Sequence, residues 1–124
     1  MKNILDDKSF AFAVRVVKMA RYLETEKREY ILSKQILRSS TAIGVLINEA
    51  VFAQSKADFI SKLSISLKEA NETSYWLKLL KETEYIEDAL YKSLYKDVTE
   101  ILALLVSSIK TAKEKLLRET NNKK

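Results

Sequence analysis

Two pairs of glutamates stand three residues apart in this chain: Glu69 with Glu72 in E-A-N-E, and Glu84 with Glu87 in E-Y-I-E. Carboxylates at that spacing share a helix face, and their oxygens suit a hard cation, so the chemistry open to them is an all-carboxylate magnesium site. Against it, E-Y-I-E crosses an expected helix boundary and Lys68 adjoins the first pair, and a solvated helix face accounts for both. Histidine and cysteine are absent, which removes imidazole bases, Glu-x-x-His di-metal motifs, thiolate nucleophiles and disulfides. One glycine, Gly44, builds neither a G-x-x-x-x-G-K-S/T nor a G-x-G-x-x-G phosphate loop. No catalytic residue, metal ligand or cofactor is assigned, and the chain is expected not to be an enzyme.

Binding is the better prospect. The net charge is +5, with a pI near 9.3. Arg15, Lys18 and Arg21 step by three within an arc of about 120° opposite the apolar stripe of the first helix. Residues 8–23 contain no acid, and neither do residues 30–48, which carry Lys34 and Arg38, whereas residues 56–86 balance five lysines against five acids. These five cations form the candidate nucleic-acid-binding set, acting on phosphates by counterion release. The aromatics fall mostly in core registers, so base stacking is not expected. Glu49, in the apolar run TAIGVLINEA, is expected in a structural ion pair, since an unpaired carboxylate there is costly. Arg38, eleven residues away, is a partner across a subunit boundary rather than within one helix.

The elements that position these residues are helices. No proline and one glycine in 124 residues leave few breakers. A first helix is expected from about Asp7 to Leu23, capped by Asp6 or Asp7, with Phe10, Ala13, Val17 and Ala20 on one face and Phe12, Val16, Met19 and Leu23 widening it. ETEKRE, residues 24–29, is short enough to force antiparallel neighbours, and Thr25 or Ser33 caps the second helix. That helix lines up Leu32, Ile36, Ile43, Ile47 and Ala50, with Ser40 in register. Ser55 and Asp58 form a capping box that opens the third, which carries Ile60, Leu63, Leu67, Ala70, Ser74 and Leu77. ETEYIED breaks the register, and the last helix runs Leu90, Leu94, Val98, Ile101, Leu105, Ile109, Ala112, Leu116. The reading is all-α: one antiparallel up-down-up-down four-helix bundle over residues 1–120, with residues 121–124 a frayed polar tail.

The helices carry more apolar residues than one stripe each requires. Val45, Leu46, Val51 and Phe52 on the second, Phe59, Ile65, Trp76 and Leu79 on the third, and Leu102, Leu104 and Val106 on the fourth exceed it, so some face outward and copies are expected to cover them. Leu46, Phe52, Phe59 and Trp76 are the candidate oligomer interface. No secretory signal stands in Met1–Asp7, and the longest apolar stretches fall well short of the ~20 residues that span a bilayer. A cytoplasmic protein without a membrane role is the expectation.

Gly44 costs about 1 kcal/mol relative to alanine in a helix, and a close approach by a neighbouring backbone or a bulky side chain such as Trp76 would offset that. LSKQILRSSTAIG, followed by NEAVFAQSKADFISKLSISLKEANETSYWLKLL, resembles the four-helix-bundle family encoded within intervening sequences of large-subunit ribosomal RNA, the S23-type proteins. The likeness spans residues 8 to about 110 and is most specific from Gln54 to Leu80. Ile43, Ile47, Glu49 and Ala50 agree with the family's second helix, I-x-A-N-I-A-E-A/G. Val45, Leu46 and Asn48 depart from it, standing where alanine, asparagine and alanine are usual, so no role of that asparagine carries over to Leu46. The resemblance implies a homopentameric ring with a tie to ribosomal RNA. More distantly, the chain is similar to the accessory variability determinants of diversity-generating retroelements, which implies a basic pentamer that binds nucleic acid and a reverse transcriptase. A protein-interaction scaffold with no nucleic-acid role is the alternative.

Overall fold

A computed structural model describes residues 3–122. Its four helices are α1 (Ile4–Thr25), α2 (Leu32–Val51), α3 (Lys56–Glu82) and α4 (Asp88–Asn122). Each packs on its sequence neighbours, and α1 closes against α4, while the backbones of the diagonal pairs stay apart among the described residues. Direction follows from the cross-links. Lys8 pairs with Glu100 and Arg15 with Asp97, so α1 and α4 run oppositely. Thr73 meets Ser39, Ser66 meets Ile43 and Lys62 meets Glu49, so α2 and α3 do too. Lys81 with Asp88 and Lys56 with Glu119 show the same of α3 and α4. Three inversions make α2 antiparallel to α1, and the bundle is up-down-up-down.

The ends are set by local chemistry. Ser55 caps α3 as expected, its hydroxyl accepting from the Asp58 amide at 3.1 Å. α1 starts earlier than the expected Asp7: Asn3 is the cap, its side chain accepting from the Leu5 amide at 2.9 Å, and Asp6 and Asp7 lie in the first turn, where the helix dipole favours them. At α2 neither Thr25 nor Ser33 is the cap. The carboxylate of Glu29, a buried residue, accepts from the Ser33 amide at 2.8 Å and the Ile31 amide at 3.3 Å, while Ser33 Oγ donates back to the Glu29 carbonyl at 2.9 Å. Arg28 just before it takes φ 52°, turning the chain into α2. Asn121 and Asn122 end α4 as helix rather than as part of a frayed tail, and Lys123 and Lys124 lie outside the described residues.

The core follows the expected registers on α2 and α4 and in part on α3, where Ile60, Leu67 and Ser74 are half-buried and Ser66, Thr73 and Leu80 are buried instead. Ile36, Ile43, Ile47 and Ala50 of α2, Leu63, Ala70 and Leu77 of α3, and Leu94 through Ala112 of α4 are buried. On α1 the stripe is rotated: Leu5, Phe12, Val16, Met19 and Leu23 form the core, whereas Phe10 is 72% exposed and Ala13 and Val17 are half-buried. Two adjacent apolar stripes satisfy the same period, so packing alone selects the one that faces in. Gly44 helps to select it. A Cβ built there would lie 3.3 Å from Ser9 Oγ, so α1, and not Trp76, occupies the space that the glycine leaves.

That contact yields a test. With Ser9→Ala, the nearest remaining atom of the side chain is an ordinary 3.7 Å away. In that background Gly44→Ala is expected to stabilise by roughly 0.5–1 kcal/mol through helix propensity. In the wild-type chain Gly44→Leu is expected to destabilise by about 1–3 kcal/mol through overpacking. Urea unfolding reads both, and a neutral leucine would mean that α1 does not press on this site.

Candidate nucleic-acid interface

The five cations singled out in the sequence do not share one environment. Arg15 turns toward α4: Nη1 donates to Asp97 at 2.5 Å and Nη2 to Ser93 Oγ at 2.8 Å. Lys8 is likewise tied to Glu100 at 2.9 Å, and its ammonium holds the Glu100 carboxyl below the usual range. Arg38 turns toward α3, with a bidentate pair to Glu69 at 3.1 and 3.2 Å and a second, short contact to Glu72. These hydrogen bonds raise the Arg38 pKa further, so it stays charged at any working pH. Glu69 and Glu72, the first carboxylate pair, are thus engaged by a guanidinium. Among the described residues no group of three or more His, Cys, Asp or Glu is placed to hold a metal ion.

Lys18, Arg21 and Lys34 differ. All three are exposed, and among the described residues none has a carboxylate within ion-pair distance. Lys18 and Arg21 line a groove of about 640 Å³ between α1 and α2, whose floor includes Phe10, Val14 and Val17 from α1 and Gly44 and Val45 from α2. Thr41 and Asn48 line it as well, and Lys34 lies one heptad before Thr41 on the same face of α2. Antiparallel packing with Ser9 opposite Gly44 puts Lys34 level with about residue 19. The three free cations therefore gather at one end of the groove, and Asp6 lines the other. The arrangement has an apolar floor and a cationic mouth.

The candidate interface residues scatter. Phe52, just past α2, is 78% exposed and continues the face of Val45 one heptad on. Leu46, Phe59 and Trp76 are half-buried in their own chain. Phe59 borders a separate hollow with Ala50, Val51 and Lys115. The Trp76 indole donates to Glu72 at 3.0 Å. Glu49 is an exposed partner of Lys62, at 3.1 Å within the same chain, rather than a carboxylate buried in an apolar run and reached by Arg38 of another subunit. Two structural sites carried little sequence signal: Glu29 sits in a run that reads as a charged loop, and the Arg38–Glu69–Glu72–Trp76 network joins residues more than thirty apart.

The bundle and its sequence together match the family model described as 23S rRNA-intervening sequence protein, over residues 1–107. The chain belongs to that family. A similar solved structure is that of a protein of unknown function from the S23 ribosomal protein family of Bacteroides thetaiotaomicron VPI-5482, 57% identical, with a TM-score of 0.85, covering 86% of this chain and 99% of the other. No curated protein matches the chain. Among the described residues no helix is long and apolar enough to cross a membrane.

The Glu72 carboxyl titrates below its ordinary 4.5, held down first by the Trp76 indole N–H and then by Arg38. A depressed carboxylate stabilises the fold above the unfolded pKa, and that contribution is lost as pH falls through the folded value. Glu72→Gln keeps an acceptor for the indole but removes the charge. It is expected to cost less than about 1 kcal/mol at pH 7, because the pair is solvent-screened. The gap to wild type should close below pH 4.5, as read by urea unfolding monitored on Trp76 fluorescence. A gap that widens toward acid would reverse the assignment.

Proposed function

We propose that this member of the 23S rRNA-intervening sequence protein family is a non-enzymatic homo-oligomer, pentameric as the S23-type resemblance implies, that binds the phosphate backbone of RNA. The observation that carries the reading is that Lys18 and Arg21 line one end of the α1/α2 groove, with Lys34 of α2 about level with them, and that none of the three has an ion-pair partner among the described residues. A single copy offers few charges. A ring presents the cluster several times over, and weak contacts then add through effective concentration. The apolar groove supplies a reason to assemble: Phe10, Val14, Val45 and Phe52 are exposed on the outer faces of α1 and α2, and contiguous exposed apolar surface marks a partner surface. A second copy of the chain is the partner proposed for it. Assignment of the family to ribosomal RNA intervening sequences supports RNA as the polyanion.

Light scattering of the purified chain is expected to give a species near five times its 14.3 kDa mass, and Phe10→Asp with Val45→Asp should return it to the mass of one chain. A wild-type monomer at micromolar concentration would remove the ring.

For binding, a short labelled single-stranded RNA is titrated at two salt concentrations. The plot of log affinity against log salt is expected to flatten by about two units in Lys18→Ala/Arg21→Ala/Lys34→Ala, at ~0.7 per phosphate contact. Arg15→Ala is expected to leave that slope alone and to loosen the α1/α4 seam by up to about 1 kcal/mol, because Arg15 is occupied by Asp97. Absence of RNA binding at low salt would favour the protein-interaction scaffold.

A further inference from the structure

The charge of the chain is unevenly placed. Residues 1–107, the part that matches the family, hold sixteen basic and fifteen acidic residues, a net +1. Residues 108–124 hold six basic against two acidic, so +4 of the chain's +5 lies beyond the shared body. Most of this segment is the end of α4, whose 35 residues outrun the 20 to 27 of the other helices. Lys81 and Asp88 stand side by side across the α3–α4 turn. Equal rises along the two helices then put Lys56, the first residue of α3, level with about residue 113. α1 ends lower still, since Lys8 is already opposite Glu100. Burial agrees: Ala112 is the last buried residue of α4. From there to Asn122 a single helix continues for nearly three turns past the body.

Lys110, Lys113, Lys115 and Arg118 lie on this segment, all exposed, and among the described residues none has an ion-pair partner. Lys113 and Lys115 stand on the two flanks of the side that carries Leu105, Ile109 and Ala112 into the core, Lys115 beside the hollow with Ala50, Val51 and Phe59, while Lys110 and Arg118 point away from it. Glu114 shares their face and opposes them in part. An anionic membrane would also attract this charge, but an interfacial helix needs a broad apolar face, and here Leu117 alone is exposed while Leu116 is half-buried.

We infer that the projecting end of α4 is a second nucleic-acid contact, a cationic arm that grips the phosphate backbone outside the groove mouth. The inference rests on the RNA-binding reading above and adds to it a segment that lies outside the family match. An exposed helix that buries almost nothing is only marginally stable by itself, so a polyanion that neutralises its cations also orders it.

The test uses the full chain and the same short labelled single-stranded RNA. Lys113→Ala/Lys115→Ala/Arg118→Ala replaces exposed residues with the best helix former, so the bundle is retained, and circular dichroism checks that it is. Affinity at about 0.1 M salt is expected to fall at least tenfold, and the salt slope to flatten by about two units. The charge-conserving set Lys113→Arg/Lys115→Arg/Arg118→Lys should bind as wild type does, and Glu114→Gln should bind more tightly. Wild-type binding with an unchanged slope in the alanine variant overturns the arm and leaves the groove reading standing. No binding by wild type, with the groove and arm cations both intact, overturns the RNA-binding reading and the arm with it. Co-sedimentation with phosphatidylserine-containing vesicles, lost in the alanine variant while RNA affinity is unchanged, reassigns the arm to membranes.

Discussion

The structure depends on how closely α2 approaches its two neighbours. Gly44 lets Ser9 come within contact distance from α1, and on the α3 side Ser39 faces Thr73 at 2.8 Å while Ser66 Oγ donates to the Ile43 carbonyl at 2.9 Å. Small side chains with hydroxyls serve both needs at once, since they allow a short interhelical distance and satisfy their own polarity inside it. Among the described residues no buried side-chain nitrogen or oxygen lacks a partner. A hydroxyl buried without one costs more than the contact returns, so the pairing is part of what permits the approach. Once α2 is fixed on both sides, α1 can turn only one way against it, and that rotation decides which of its apolar stripes is core and which is groove.

The same rotation governs how much of the fold the sequence reveals. α4 carries a register whose members from Leu94 to Ala112 are buried, and the Ser55 cap is as expected, whereas on α3 Leu63, Ala70 and Leu77 are buried but Ile60, Leu67 and Ser74 are half-buried and Ser66, Thr73 and Leu80 take inner places that the register omitted. α1 carries two: Phe10–Ala13–Val17 and Phe12–Val16–Met19 have the same period and similar hydrophobicity, so nothing local ranks them. The deciding contacts, Ser9 with Gly44 and Arg15 with Asp97, are long-range. The cap of α2 escaped for a related reason. A glutamate three residues before a helix is not among the usual capping types, and only the left-handed Arg28 brings the Glu29 carboxylate round to the free amides.

The candidate site divides along the same line. Acid-free stretches in α1 and α2 drew attention to the cations, but a stretch says nothing about the helices opposite. Asp97 and Glu100 come from α4, and Glu69 and Glu72 from α3, to meet Arg15, Lys8 and Arg38. Such pairs are half-exposed and worth little individually. What they accomplish is positional. They remove three cations from the field that a polyanion would meet, and of the five singled out in the sequence they leave Lys18, Arg21 and Lys34 without an ion-pair partner among the described residues. Among like residues, what differs is whether the neighbouring helix places a carboxylate within reach.

That criterion applies with more force at the end of α4, where no helix stands opposite. A charge on the body of a four-helix bundle always has a neighbouring helix from which a carboxylate can reach it. Lys56 shows the limit of that reach: from the first residue of α3 it still pairs with Glu119, but it is the last residue of its helix able to do so. Lys113 and Arg118 stand on other sides of α4, and neither has an ion-pair partner among the described residues. A residual charge that the fold would otherwise neutralise therefore accumulates where the fold runs out. There only Glu114 on the same helix face offsets it in part, and no carboxylate of the other helices is paired with it among the described residues.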